Sequence, residues 1–227
     1  MEVCRNTEPN IKFLKNVRNL ANRKNIVLIF DECTTGFREC LMGLHTKYGV
    51  IPDIVVYGKT LGNGFAINAV IGKEKLMKHA KNTFISSTFW SERIGFVAAK
   101  KNLEILSIKK PWNKILNLGK YLKKQIKYLA KKHKLKVTVY GIDSAPSFKF
   151  NYSNDLAYRT LISQEMLKKK ILATNSIYLC FKHTEKNIKK YLFLLEKTFK
   201  LIRKCEDKRV NLNEVLKTPV RISGMRN

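Results

Sequence analysis

Two apolar segments of the sequence each run into a residue that could do chemistry. Residues 26–30, Ile-Val-Leu-Ile-Phe, lead into Asp31, and residues 54–57, Ile-Val-Val-Tyr, lead through Gly58 into Lys59. In an open parallel sheet, ligands bind in the crevice outside the carboxyl ends of the strands. A carboxylate and a primary amine are therefore expected to meet at one edge of such a sheet.

This pair of groups suits the cofactor pyridoxal 5′-phosphate (PLP). The amine of Lys59 can form a Schiff base with the cofactor aldehyde, and Asp31 can hold a proton on the pyridine nitrogen so that the ring accepts electrons. Two simpler interpretations stay open, since Lys59 could be a surface-loop lysine and Asp31 could cap a helix. Gly62 and Gly64 favour the cofactor interpretation, because glycines let the backbone approach a bulky ligand closely.

Three motifs then occur in a recognisable order. Residues 30–38 read Phe-Asp-Glu-Cys-Thr-Thr-Gly-Phe-Arg, and residues 48–53 read Tyr-Gly-Val-Ile-Pro-Asp, followed by Gly-Lys-Thr-Leu-Gly-Asn-Gly at 58–64. Residues 86–93 read Ser-Ser-Thr-Phe-Trp-Ser-Glu-Arg. Together they resemble the motifs of class III (fold type I) PLP-dependent aminotransferases. Within that family they look most like glutamate-1-semialdehyde aminomutases and the related aminotransferases that act on small or sugar-like substrates.

The resemblance implies an α/β fold in two parts. Residues 1–110 would form the C-terminal part of the PLP-binding large domain, a mostly parallel sheet with helices, and residues 111–227 a small α+β C-terminal domain. Apolar periodicity predicts elements of the same kind. The predicted helices cover 9–24, 74–80, 92–106, 112–132, 156–169 and 184–205, and the predicted strands cover 26–30, 52–57, 66–72, 136–140, 147–152 and 172–181.

The resemblance also assigns site residues. Lys59 would carry the cofactor and shuttle protons, and Asp31 would pair with the pyridine nitrogen. Cys33 stands where the family has a small apolar residue against the cofactor ring, and cysteine can serve as a small hydrophobe. Thr88 would bind the cofactor phosphate of the partner subunit, which implies a homodimer. Glu32 is expected to be a supporting or structural carboxylate.

The resemblance covers only the C-terminal half of the family's sequence. Met1 and Glu2 match the family's Met-Glu-Pro segment, which normally lies in the middle of the chain. The family's main phosphate loop and the aromatic residue that stacks on the cofactor would lie before it. We therefore expect a truncated or split polypeptide that needs a separate N-terminal half.

Composition limits the other classes of function. The formal charge of +28 suggests a nucleic-acid partner when taken alone. However, the lysines are scattered from Lys12 to Lys217 and no nucleic-acid-binding motif is present, which favours a solvated basic surface without specific nucleic-acid binding. The five cysteines have no metal-like spacing with the histidines, so no metal site is expected. Without a secretory signal or a membrane span, the predicted location is the cytoplasm.

The sequence favours PLP-dependent transamination between a small-molecule amino donor and a carbonyl acceptor. The first alternative is an aminomutase, which returns the amino group to the same substrate. The second, from another class, is a non-catalytic remnant or assembly subunit that keeps the fold without holding the cofactor by itself.

Overall fold

The computed structural model describes residues 6–7, 9–86, 88 and 91–222, so Met1 and Glu2 lie outside the described residues. The chain divides into two compact units, Met1–Asn113 and Lys114–Asn227. This division falls three residues beyond the predicted boundary between 110 and 111. The assignment of the two units to the large and small domains of the family stays a prediction.

The first unit combines helices with a small sheet. Its elements are α1 (Ile11–Arg23), β1 (Ile29–Asp31), α2 (Leu44–Lys47), β2 (Ile54–Tyr57), β3 (Ala69–Gly72), α3 (Glu74–Met77), a 3-10 helix (Lys78–Asn82) and α4 (Arg93–Lys109). Helix α1 begins after Asn10, whose side-chain oxygen accepts a hydrogen bond from the Phe13 N–H at 3.1 Å. This is a conventional N-cap, which satisfies one of the free N–H groups of the first turn.

The sheet of the first unit is mixed, which corrects the expectation of a mostly parallel sheet. The strand order is β1-β2-β3, with β1 and β2 parallel and β2 and β3 antiparallel. The reason lies in the connection between β2 and β3, which spans residues 58–68 as a glycine-containing turn. A parallel connection needs a crossover of a dozen or more residues, usually through a helix, whereas a short turn brings the chain back antiparallel.

Asp53 links three parts of the first unit. Its carboxylate accepts hydrogen bonds from Arg18 Nη1 of α1 at 2.7 Å and from the Leu28 N–H before β1 at 2.8 Å. Its other oxygen lies 2.6 Å from Nζ of Lys73, which follows β3. Asp53 is 7% exposed. The residue therefore holds the α1 helix and the ends of the sheet in one arrangement.

The second unit packs three long helices against a hairpin. Its elements are α5 (Trp112–Lys132), which begins at the boundary, then β4 (Val137–Tyr140), β5 (Ser147–Phe150), α6 (Asp155–Leu167), α7 (Glu185–Glu206) and α8 (Leu212–Val215). Strands β4 and β5 pair antiparallel. Leu122, Phe148 and Phe199 are fully buried in the core of this unit. The helices α5, α6 and α7 and the strand β5 all contribute residues to this core.

The strand predicted over 172–181 is wrong. This segment forms a single antiparallel bridge, between Ser176 and Ser147, and otherwise runs beside β5 through separate hydrogen bonds. The Phe148 N–H donates to Asn175 O at 3.1 Å, and the Leu179 N–H donates to Ser144 O at 3.0 Å. The apolar residues of the segment are thus used for packing without a continuous ladder.

No helix within the described part of the chain has the length and apolar character needed to cross a membrane.

Candidate active site

The structure brings Asp31 and Lys59 to the same edge of the sheet. Asp31 is the last residue of β1 and is paired in register with Val56 of the parallel strand β2. Lys59 follows the end of β2 by two residues. Both residues therefore lie at the carboxyl end of the parallel pair, where an α/β sheet binds its ligands.

The Asp31 carboxylate is held in its ionised form. The Cys33 N–H donates to Asp31 Oδ1 at 3.0 Å, and this hydrogen bond lowers the pKa of Asp31 below its ordinary value. The positive charge of Lys59 lowers the pKa further, while partial burial opposes both effects. An ionised carboxylate is the partner that would stabilise a protonated ring nitrogen.

Lys59 lies in a turn with an unusual backbone conformation. Its φ angle is 41°, in the left-handed region that few residues other than glycine adopt. The surrounding turn, residues 58–64, which we call the lysine turn, is closed by the Asn63 N–H donating to Lys59 O at 3.0 Å. The Nζ atom donates to Thr34 Oγ1 at 2.5 Å, so the amine points toward the turn that follows β1.

Asn102 of α4 supports the lysine turn from outside the sheet. Its side-chain Nδ2 donates to Thr60 O at 2.6 Å and to Leu61 O at 3.2 Å. These two carbonyls directly follow the lysine. Because a hydrogen-bonded backbone resists rearrangement, Asn102 is a positioning residue for the conformation of Lys59.

Gly58 allows the two turns to approach each other. A Cβ atom at this position would lie 2.4 Å from Asn68 Oδ1 and 3.3 Å from Cys33 Sγ. The first distance is shorter than any ordinary contact, so a larger residue would require the Asn68 side chain to move aside. Cys33, which is partly buried, thus lies beside the lysine turn, as an apolar wall of a site at this edge would require.

Glu32 is a structural carboxylate. Its side chain is fully buried and accepts hydrogen bonds from the Leu44 N–H at 2.7 Å and from the His45 N–H and Nδ1 at 2.9 and 2.7 Å. The Thr35 hydroxyl donates to it at 3.0 Å. Leu44 and His45 open helix α2, whose N-cap Gly43 has no side chain to cap it. Glu32 performs that capping from a distant part of the sequence.

Thr88 makes no hydrogen bond with Asp31 or Lys59 within the part of the chain that the structure describes. It is exposed in a turn, and its neighbours Ser87, Phe89 and Trp90 lie outside the described residues. Its predicted contact with a phosphate of the partner subunit stays a prediction.

Sequence reasoning missed Thr34 and Asn102. Thr34 belongs to the same motif as Asp31, so its position three residues beyond a strand-terminal carboxylate was an available signal. Asn102 lies more than 40 residues from the backbone it holds and within a helix of ordinary composition. No local pattern in the sequence marks that contact.

Comparison with protein families and with individual proteins points to one family. The profile of the family described as Aminotransferase class-III matches residues 6–146. The chain is 31% identical over 186 residues to the 3-aminobutyryl-CoA aminotransferase of Cloacimonas acidaminovorans (strain Evry), which covers 79% of this chain and 45% of that protein. It is 28% identical over 213 residues to the glutamate-1-semialdehyde 2,1-aminomutase of Wigglesworthia glossinidia brevipalpis, covering 86% and 49% of the two chains.

Solved structures give the same picture for the fold. The FumI protein of Sphingopyxis sp. MTA144, in its PLP internal aldimine form, superposes with a TM-score of 0.81 at 19% identity, covering 93% of this chain and 52% of that chain. An ornithine aminotransferase of Plasmodium yoelii gives a TM-score of 0.77 at 20% identity, covering 88% and 56%. The chain thus spans about half the length of the relatives that it matches. With a family profile that matches more than half of its residues, the chain belongs to the PLP-dependent class-III aminotransferases.

Proposed function

We propose that the first unit carries the lysine and the aspartate of a PLP-dependent transamination site. The observation that carries the proposal is the convergence of Asp31 and Lys59 at the carboxyl ends of the parallel strands β1 and β2. This pair of groups, one amine and one ionised carboxylate within electrostatic reach of each other, fits a cofactor that has an aldehyde and a ring nitrogen.

The chemistry divides between the cofactor and these side chains. PLP, when bound, supplies an aldehyde that reacts with amines and a protonated ring that withdraws electrons from the reacting carbon. Lys59 would hold the cofactor through Nζ until an amino donor replaces it, and Nζ would then take up and return a proton as a general base and acid. Asp31, ionised through its lowered pKa, would keep a proton on the ring nitrogen.

Neighbouring residues would prepare these two groups. The Thr34 hydroxyl, 2.5 Å from Nζ, would hold the amine of Lys59 in place before the cofactor arrives. Cys33 would pack against the ring, and Thr88 would reach the phosphate of a partner subunit in a homodimer. The reaction would transfer an amino group from a small-molecule donor to a carbonyl acceptor.

Trapping of the cofactor on the protein tests the assignment of Lys59. The chain is incubated with PLP and reduced with borohydride, and the pyridoxyl group is located by peptide mass spectrometry. We expect Lys59 to be labelled preferentially, Lys59→Ala to remove that label, and Lys101→Ala, which changes an exposed lysine of α4, to leave it unchanged. Labelling spread evenly over the surface lysines would contradict the proposal.

We expect the isolated chain to bind PLP weakly and to turn over slowly, because it spans about half the length of the relatives. A complementary segment that supplies the remaining length is expected to raise the occupancy of Lys59. Robust turnover by the 227-residue chain alone would show that this expectation is wrong. Failure of the complemented protein to bind PLP would favour the non-catalytic alternative.

The aminomutase alternative has its own support. Several matched relatives are glutamate-1-semialdehyde 2,1-aminomutases, including that of Methanocaldococcus jannaschii, which is 34% identical over 146 residues. Both reactions would use the same lysine and aspartate. Product analysis separates them, since an aminomutase yields an isomer of its substrate without consuming a second amino compound.

A further inference from the structure

A groove in the second unit is bordered by positive charges. It lies between residues 170–183 and the first turns of α7, and its volume is about 570 Å³. Sites for small molecules typically have volumes of about 300 to 1,000 Å³. All of the residues that line the groove belong to the second unit, so it shares no residue with the site around Lys59.

Hydrogen bonds fix the two walls of this groove. One wall is tied to strand β5, because the Asn175 side chain donates through Nδ2 to Phe148 O at 2.8 Å. The other wall is tied to the first, because the Tyr191 hydroxyl of α7 donates to Thr174 O at 3.1 Å. The groove is therefore largely preformed, as ligand sites usually are.

The floor of the groove is apolar. Ile188 and Tyr191 are buried there, and Ile177 packs against the core of the second unit. At the rim, Leu172 is 94% exposed and Tyr178 is 44% exposed. A ligand with an apolar body would remove these rim side chains from water, and the gain in free energy grows with the apolar area that is covered.

Three lysines, Lys170, Lys182 and Lys190, line the same groove, and no aspartate or glutamate does. Within the described part of the chain, none of the three forms an ion pair with a carboxylate. Lys132, in contrast, lies 2.5 Å from Glu196 through its Nζ atom. Positive charges that border one concave surface without compensation repel each other and attract anions.

His183 adds a hydrogen-bond donor to the groove. Its Nδ1 atom accepts a hydrogen bond from the Cys180 N–H at 2.9 Å, and its own backbone N–H donates to Cys180 O at 3.0 Å. Because Nδ1 is an acceptor here, Nε2 carries the proton of the neutral ring and can donate to a ligand. The turn at residues 180–183 thus fixes both the tautomer and the orientation of the ring.

We propose that the groove binds a small phosphate monoester that has an apolar body. A phosphate group carries a charge of about −1.5 to −2 at pH 7 and three strong acceptor oxygens, so it matches several ammonium groups and an imidazole donor better than a singly charged carboxylate does. Lysine binds phosphate as a point charge. The apolar body would cover Leu172 and Tyr178 at the rim. This binding goes beyond the proposed transamination and does not involve Lys59.

Calorimetric titration of the full chain with 1-naphthyl phosphate tests the proposal. The probe has no aldehyde, so it binds without forming a Schiff base with any lysine. We expect it to bind at a single site about tenfold more tightly than inorganic phosphate or 1-naphthol, because each of these lacks one of the two parts that the groove recognises.

Three variants change the groove, and a fourth is the control. Lys182→Ala and Lys190→Ala should each weaken binding of 1-naphthyl phosphate about fivefold, because each removes one partly screened charge. Leu172→Ser should weaken it about threefold and leave inorganic phosphate unaffected. Lys186→Ala removes an exposed lysine of α7 that lies outside the groove, and it should change the affinity by less than about twofold.

Several outcomes would overturn the proposal. Equal weakening by Lys186→Ala and Lys190→Ala would show that the probe responds only to diffuse surface charge. Binding no tighter than that of inorganic phosphate, or binding that the double variant Lys182→Ala/Lys190→Ala leaves unchanged, would exclude the groove. Loss of binding in Lys59→Ala, with the groove variants unaffected, would place the probe in the first unit. PLP trapping on Lys59 is measured separately, so its failure would leave the result for the groove standing.

Discussion

The removal of the Asp53 carboxylate gives a prediction whose magnitude follows from the structure. Burial raises the pKa of Asp53, but the hydrogen bonds from Lys73, the Leu28 N–H and Arg18 more than offset it and lower the pKa from 3.8 to about 2. One pKa unit corresponds to about 1.4 kcal/mol. The ionised carboxylate therefore stabilises the first unit by about 2 kcal/mol at neutral pH.

The sign of the pH dependence follows from the same shift. The pKa is lower in the folded state than in the unfolded chain, so the stabilisation is complete above about pH 4, near the unfolded pKa. It is lost as the pH falls toward about 2, where the folded carboxylate also becomes protonated. Asp53→Asn should remove this part of the acid sensitivity together with the stabilisation.

Hydrogen exchange measures the effect within the first unit, which matters because a chain of two units need not unfold in one step. For Asp53→Asn at neutral pH, we expect the slowest amides of β1 and β2 to exchange roughly 30-fold faster, as about 2 kcal/mol implies. Glu74→Gln, which changes a side chain that is 83% exposed, is the matched control and should have little effect. Unchanged exchange in Asp53→Asn, or an unchanged acid transition, would refute the electrostatic reasoning.

Two further predictions concern the supports of the site. Glu32→Gln should lower the unfolding free energy of the first unit by about 3 kcal/mol, because the NH2 group of the new amide would face N–H and O–H donors that now share a carboxylate. Denaturant titration, with Glu74→Gln as the control, measures this loss. A loss below about 1 kcal/mol would contradict the prediction. Asn102→Leu keeps the branched shape and the number of heavy atoms of the side chain but removes both hydrogen bonds to the lysine turn. It should weaken PLP trapping on Lys59 about fivefold and leave the helix content measured by circular dichroism unchanged. Equal trapping would show that the lysine turn keeps its conformation without Asn102.

Local periodicity predicted the long helices well. The helix predicted over 112–132 has the observed bounds of α5, and the helix predicted over 184–205 is α7, Glu185–Glu206. Both carry an apolar stripe that is buried in the core of the second unit. Their bounds follow from the stripe and, for α7, from a capping box at Thr184, and both features are local.

The elements that depend on distant partners were harder to predict. The apolar segment 172–181 has strand-like composition, but a ladder needs a matching neighbour along its whole length, and only Ser176 forms a bridge. Asp31 and Lys59 were predicted to lie at the ends of two strands, and they do lie at the ends of β1 and β2. The direction of β3, in contrast, depended on the compact turn after Lys59. The contact of Asn102 with that turn joins residues far apart in sequence, which no periodic pattern can reveal.

Asp31 is exposed and the next residue, Glu32, is buried, so their side chains point in opposite directions from β1. This alternation limits which mutations the strand can tolerate. Glu32 continues the ladder through its N–H, which donates to Val56 O at 2.9 Å, and its buried carboxylate fixes which way the strand faces. An insertion or deletion of one residue inside β1 would exchange the two orientations, turning Asp31 inward and Glu32 out to solvent. Single-residue indels should therefore be excluded from this strand more strictly than substitutions, while the exposed turn at residues 24–25 can absorb them.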